Sequence, residues 1–143
     1  MAKIFHLFNI KTNEVSKLYD ATTKKEGLAS WWTIETYGTS ELGSIIEFRF
    51  TKEYKKSMKI IGLDENKKVE WECVEGDEQW LGAKIKFELE QKENSIDVKF
   101  YHDNWKEVTD LFGICNYHWG LYMKSLKSYL EDGKGNPHKP NLS

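Results

Sequence analysis

The stretch that decides the fold is DLFGICNYHWGLYMKSLKSYLE, Asp110 to Glu131. Its apolar side chains fall at Leu111, Cys115, Trp119, Tyr122, Leu126 and Tyr129, with Leu130 beside them. Steps of four, four, three, four and three trace the stripe of an amphipathic helix. At about 1.5 Å per residue it is about 33 Å long. No other segment carries a helical pattern of that length. Gly133 follows as a C-cap, and Pro137 and Pro140 mark 134–143 as a loose tail.

Outward from this helix the period changes to two. Ile46, Phe48 and Phe50 alternate with Glu47 and Arg49. Met58 and Ile60 share a face, with Lys59 and Ile61 on the other. Val69, Trp71 and Cys73 alternate with Glu70 and Glu72. Leu81, Ala83, Ile85, Phe87 and Leu89 alternate with Lys84, Lys86, Glu88 and Glu90. Ile96, Val98 and Phe100 alternate with Asp97, Lys99 and Tyr101. Short polar turns join these strands, so successive strands are antiparallel neighbours with one dry and one wet face. The terminal helix is the element able to cover the dry face.

Further upstream, Lys3 to Ile10 reads as a strand. Ile4, Phe8 and Ile10 lie on one face, Phe5 and Leu7 on the other, so both sides are expected to be covered. Thr12 or Asn13 caps a short helix, Glu14 to Ala21. Thr23 and Glu26 have capping-box spacing for a second, Lys24 to Trp31, which Gly27 weakens. Thr33 to Tyr37 offers a short strand. The expected organisation is one domain over residues 1–133 plus the tail.

The 143 residues carry 39% hydrophobic and 31% charged side chains with a formal net charge of −2, signs interspersed. No basic face is visible, which argues against nucleic acid as a partner. No apolar run approaches the ~18 residues of a membrane span. The start, Met1-Ala2-Lys3-Ile4, has no charged-then-apolar leader, so a cytoplasmic protein with two reduced thiols, Cys73 and Cys115, is expected.

The element order is that of the helix-grip fold, and particular words match a family. Gly27-Leu28-Ala29-Ser30-Trp31-Trp32-Thr33, Trp71-Glu72-Cys73 with Gly76, and Trp80 with Gly82 resemble the activator of heat-shock protein 90 ATPase homologue family. So do Phe100-Tyr101-His102 with Trp105, Cys115-Asn116 with Trp119, and Ser125 to Gly135. That family is START-like, in the birch-pollen-allergen-like superfamily. The resemblance implies an α+β fold in which a curved antiparallel sheet wraps a long C-terminal helix, two short helices following the first strand. It also implies a cavity, and a chaperone as a partner.

Candidate chemistry is thin. His102 shares the dry-face phase of Ile96, Val98 and Phe100. It is either a semi-buried acid or base or a core histidine bonded to a loop. His6, His102, His118 and Asp103 show no metal-ligand spacing, and no phosphate-binding glycine loop is present. Cys73 and Cys115 have no neighbouring cation in sequence and read as inert thiols. No catalytic residue, metal or cofactor is assigned.

The aromatic set either packs a solid core or lines a pocket, since both have the same phase. The expected lining is Trp32, Phe48, Phe50, Met58, Trp71, Cys73, Phe87, Phe100, His102, Cys115, His118, Trp119 and Tyr122. The expected function is binding of a small hydrophobic or lipid-like ligand between sheet and helix, by a monomer or homodimer. The alternatives are a co-chaperone stimulating the heat-shock protein 90 ATPase and an enzyme of the cyclase, dehydratase or hydrolase kind.

Overall fold

A computed structural model describes residues 2–140. The chain runs β1 (Ala2–Ile10), α1 (Val15–Ala21), α2 (Lys25–Trp31), β2 (Thr36–Tyr37), β3 (Ile45–Arg49) and β4 (Lys55–Asp64). Then come β5 (Lys68–Glu75), β6 (Lys84–Gln91), β7 (Ile96–Trp105) and α3 (Asp110–Asp132). The seven strands form one sheet in the order β1-β7-β6-β5-β4-β3-β2, antiparallel throughout. β2 to β7 are a meander, as the short turns require, and β1 closes the far edge on β7.

The period-two pattern decides which side chains meet. Val69 faces Phe87, Phe87 faces Phe100, and Ile85 faces His102 across the ladders. All of these are buried. On the opposite face Glu70 stands across from Lys86, Glu72 from Lys84, and Glu88 from Lys99, an arrangement that favours solubility and pairing.

α3 lies over the dry face. Thr109 caps it by accepting from the Phe112 N–H, and Gly133 ends it with φ 79°. Its buried residues are Cys115, Trp119, Met123, Ser125, Leu126 and Leu130. Met123 and Ser125 therefore join the expected stripe, while Tyr122 and Tyr129 are only half-buried. The reason is that α3 is covered on two sides, by the sheet and by α2. Ser125 Oγ donates to the carbonyl of Trp31, the last residue of α2, at 2.8 Å.

Several expectations are corrected. β1 is not covered on both sides. Phe5 and Leu7 are exposed, because among the described residues no layer lies over the outer face of this edge strand. α1 starts at Val15, and neither short helix has a side-chain N-cap. The Thr22 and Thr23 hydroxyls instead donate to the Tyr19 carbonyl at the end of α1, where helix carbonyls lack partners. Gly27 allows α2 to pack on α1, since a Cβ there would meet Ala21 Cα at 2.5 Å. Leu81 is exposed, because 77–82 forms a turn and β6 begins only at Lys84.

The expected looseness of the tail is also overturned, for residues 134–140. The His138 N–H donates to the Trp32 carbonyl (2.7 Å), and the Ile34 N–H donates to the His138 carbonyl (3.0 Å). The Asn136 N–H donates to Ser125 Oγ at 2.6 Å. The prolines rule out a helix but leave an extended segment free to pair. Residues 141–143 of the expected tail lie outside the described residues.

Candidate functional site

A pocket of about 310 Å³ opens beneath the first half of α3. Leu111, Ile114, Cys115, His118, Trp119 and Tyr122 come from α3. Phe50, Thr51 and Tyr54 come from the β3–β4 turn, and Lys56 from β4. Asp77 and Trp80 come from the β5–β6 loop, Trp32 from the end of α2, and His138 from the tail. Five separate segments thus build one aromatic wall, of a size and character typical of small-molecule sites.

The expected lining divides in two. Trp32, Phe50, Cys115, His118, Trp119 and Tyr122 lie on the pocket. Phe48, Met58, Trp71, Cys73, Phe87, Phe100 and His102 do not; they are packed core. Trp71 stacks on Trp32 at 5.9 Å and meets Phe87 edge-on at 5.4 Å, while Phe87 meets Phe100 at 5.2 Å. These rings fill the sheet's concave side, so the open space is displaced toward the β3–β4 turn.

His102 is a core histidine. It is fully buried, and its Nδ1 accepts from Trp119 Nε1 at 3.0 Å. That bond places the proton of the neutral ring on Nε2, which has no hydrogen-bond partner among the described residues and sits among the rings of Trp80 and Trp105. Burial, reinforced by the charge of Lys56, pushes its pKa down from 6.5 to about 3. It stays neutral at ordinary pH and supplies no acid or base to the pocket.

Of the polar groups that line the pocket, His118 and Cys115 were expected; Thr51, Tyr54, Lys56, Asp77 and His138 were not. Lys56 is in phase with Met58 and Ile60, and faces Phe48 across the β3–β4 ladder. Extending the alternation two residues upstream would have found it. It is 8% exposed, and its Nζ stands 3.0 Å from the centroid of the Trp80 ring. Burial lowers its pKa to about 8. Tyr54 donates its hydroxyl proton to the Asp77 carboxylate, and burial followed by that bond pushes the phenol's pKa well up. Trp80 Nε1 donates to Cys115 Sγ at 3.4 Å. Burial raises the Cys115 thiol, and raises Cys73 to about 11; both cysteines are free and buried. His138 Nε2 lies 2.7 Å from the Phe50 carbonyl, so the docked tail forms part of the rim. Among the described residues, no three His, Cys, Asp or Glu side chains gather as a metal would need.

The family model for Activator of Hsp90 ATPase homolog 1-like protein matches residues 13–131. The chain belongs to that family. Among solved structures, this family member is similar to the Aha1 dimer from Colwellia psychrerythraea. The two share 40% sequence identity with a TM-score of 0.86, over 94% of this chain and 100% of that one. Protein MLL2253 from Mesorhizobium loti shares the fold at 14% identity, with a TM-score of 0.78 over 90% and 96% of the two chains. CalU16 from Micromonospora echinospora does so at 12% identity and a TM-score of 0.74, over 89% and 73%. No curated protein matches. The family member has the α+β helix-grip fold of its Aha1-like neighbour, and among its described residues no helix is long and apolar enough to cross a membrane.

Proposed function

We propose that this family member binds a small, largely apolar molecule in the pocket beneath α3. The observation that carries the reading is the half-enclosed space of about 310 Å³ walled by Trp32, Trp80, Trp119, Phe50 and Tyr122. Filling it would remove apolar wall from water at about 25 cal/mol per Å². The core beside it is solid, which keeps the wall in place without a ligand. Native mass spectrometry of the gently purified full chain tests this, together with thermal shift against a panel of apolar compounds of naphthalene size. A bound small molecule, or stabilisation by several such compounds, is expected. The absence of both would sink the reading.

A second reading comes from the family description and from the similarity to an Aha1 dimer: the chain stimulates the Hsp90 ATPase through its surface, as a monomer or homodimer. Stimulation lost on reversing Glu70, Glu72, Lys84 and Lys86, with Tyr122→Ala neutral, would support it. Absence of any ATPase effect would exclude it.

A further inference from the structure

Lys56 is out of place in an aromatic wall. Its neighbour Lys55, on the wet face, pairs with Glu47 at 3.3 Å and with Glu75 at 3.5 Å. Lys56 points the other way and has neither kind of partner. Among the described residues no carboxylate comes within 4.0 Å of its Nζ, and no hydrogen bond to it is formed. An ammonium carries three donors. What surrounds this one is ring faces: Trp80 at 3.0 Å, Tyr54 at 5.5 Å and Phe50 at 5.6 Å. Such faces favour a cation but accept no strong hydrogen bond. The nearby acid, Asp77, accepts from the Tyr54 hydroxyl and acts on Lys56 only through its charge, without an ion-pair contact. A desolvated cation without a counter-ion is costly, and the side open to relieving it is the pocket.

We propose that the pocket selects amphipathic ligands bearing one negative charge, the anion resting on Lys56 Nζ and the aromatic or alkyl body lying against Trp119 and Tyr122. This rests on the pocket being a ligand site and names the class of ligand it takes. Lys56 supplies a compact charge with free donors at one end of an otherwise apolar wall. A neutral body of the same shape fills the wall but leaves the ammonium unanswered. A cationic one adds repulsion. Asp77 on the same wall opposes the anion in part, so Asp77→Asn is expected to tighten anion binding.

The test is a matched pair of fluorescent probes, 1-anilinonaphthalene-8-sulfonate and the uncharged N-phenyl-1-naphthylamine. They share a skeleton and differ by the sulfonate. With the wild-type chain the sulfonate is expected to bind on the order of tenfold tighter, equivalent to about 1.4 kcal/mol. Both dyes are expected to shift the Trp80 and Trp119 indole N–H resonances. Lys56→Met is expected to abolish the difference in affinity between the two dyes, and Lys56→Arg to retain it.

A measurement without substitution guards against misfolded variants. Between pH 7 and pH 9 the wild-type preference should shrink as Lys56 loses its proton. The other titratable groups facing it are Asp77, Tyr54, Cys73, Cys115, His118 and His138. Burial raises Tyr54, Cys73 and Cys115. Equal affinity for the two dyes, or a preference that survives Lys56→Met or pH 9, overturns the charge assignment and leaves the pocket reading standing. Binding of neither dye, or binding that leaves both indole signals in place, overturns both.

Discussion

Lys56 on β4 and His102 on β7 both reach the Trp80 ring from the sheet, and burial acts on both by disfavouring the charged form. Lys56 keeps an opening to the pocket and stays a cation near neutrality, whereas His102 is sealed and neutral. The sign of the consequence for His102 follows from linkage. Its folded pKa, about 3, lies below its ordinary 6.5. The unfolded chain therefore takes up this proton first. The stability tied to a neutral His102 is complete above pH 6.5 and drains as pH falls toward 3, by up to about 1.4 kcal/mol per pH unit. Urea midpoints at pH 7 and pH 5 should differ by less in His102→Gln than in the wild type; equal differences would refute the assignment. Trp119→Phe removes the donor to His102 Nδ1 and leaves that atom buried without a partner. A loss of about 1–3 kcal/mol in urea unfolding at pH 7 is expected. A neutral effect would mean that the ring is held by packing alone.

At the level of elements, the tail and α3 depend on each other through Ser125. Its Oγ donates to the Trp31 carbonyl and accepts from the Asn136 N–H, tying α2, α3 and the tail together. Gly135 passes so close to α2 that a Cβ would meet the Ser30 carbonyl oxygen at 2.4 Å. Ser125→Ala should cost about 1–3 kcal/mol and speed amide exchange at Asn136, His138 and Ile34 together. Gly135→Ala should give the same exchange signature without removing a hydrogen bond. If those amides exchange independently in either variant, the tail is not held as a unit. Thr109→Ala, which removes the N-cap of α3, should cost about 1 kcal/mol. Exchange at Phe112 should rise, and the tail amides should be unaffected.

For the whole molecule, the division between solid core and open pocket sets where a mutation is felt. Trp71→Ala cuts a ring from the packed side and should cost about 3–5 kcal/mol in denaturant unfolding. Tyr122→Ala enlarges a space that already opens to solvent and should cost markedly less. Comparable losses would mean that the pocket is closed in solution. Among the described residues the edges of the sheet are β1 and β2. β1 presents Phe5 and Leu7 outward, with Phe5 packed on Tyr101 at 5.1 Å.

Much of this architecture was legible in the chain, because periodicity is a local property. The alternation in residues 46–50, 69–73, 85–89 and 96–100 names a dry face whatever it packs against. The stripe from Leu111 to Tyr129 likewise names a covering helix, and Gly133 its end. Three things were not legible. The tail's extended pairing at His138 depends on carbonyls of Trp32 and Phe50, far away in sequence. The exposure of Phe5 and Leu7 depends on β1 being an edge strand. The separation of Phe87, Phe100 and His102 from Trp119 and Tyr122 depends on how far apart two curved layers stand. A side chain that fills a core and one that lines a pocket have the same period and the same polarity. The sequence alone determined which faces are dry; the spacing of sheet, helix and tail decided where that dry surface closes and where it leaves room beside Lys56.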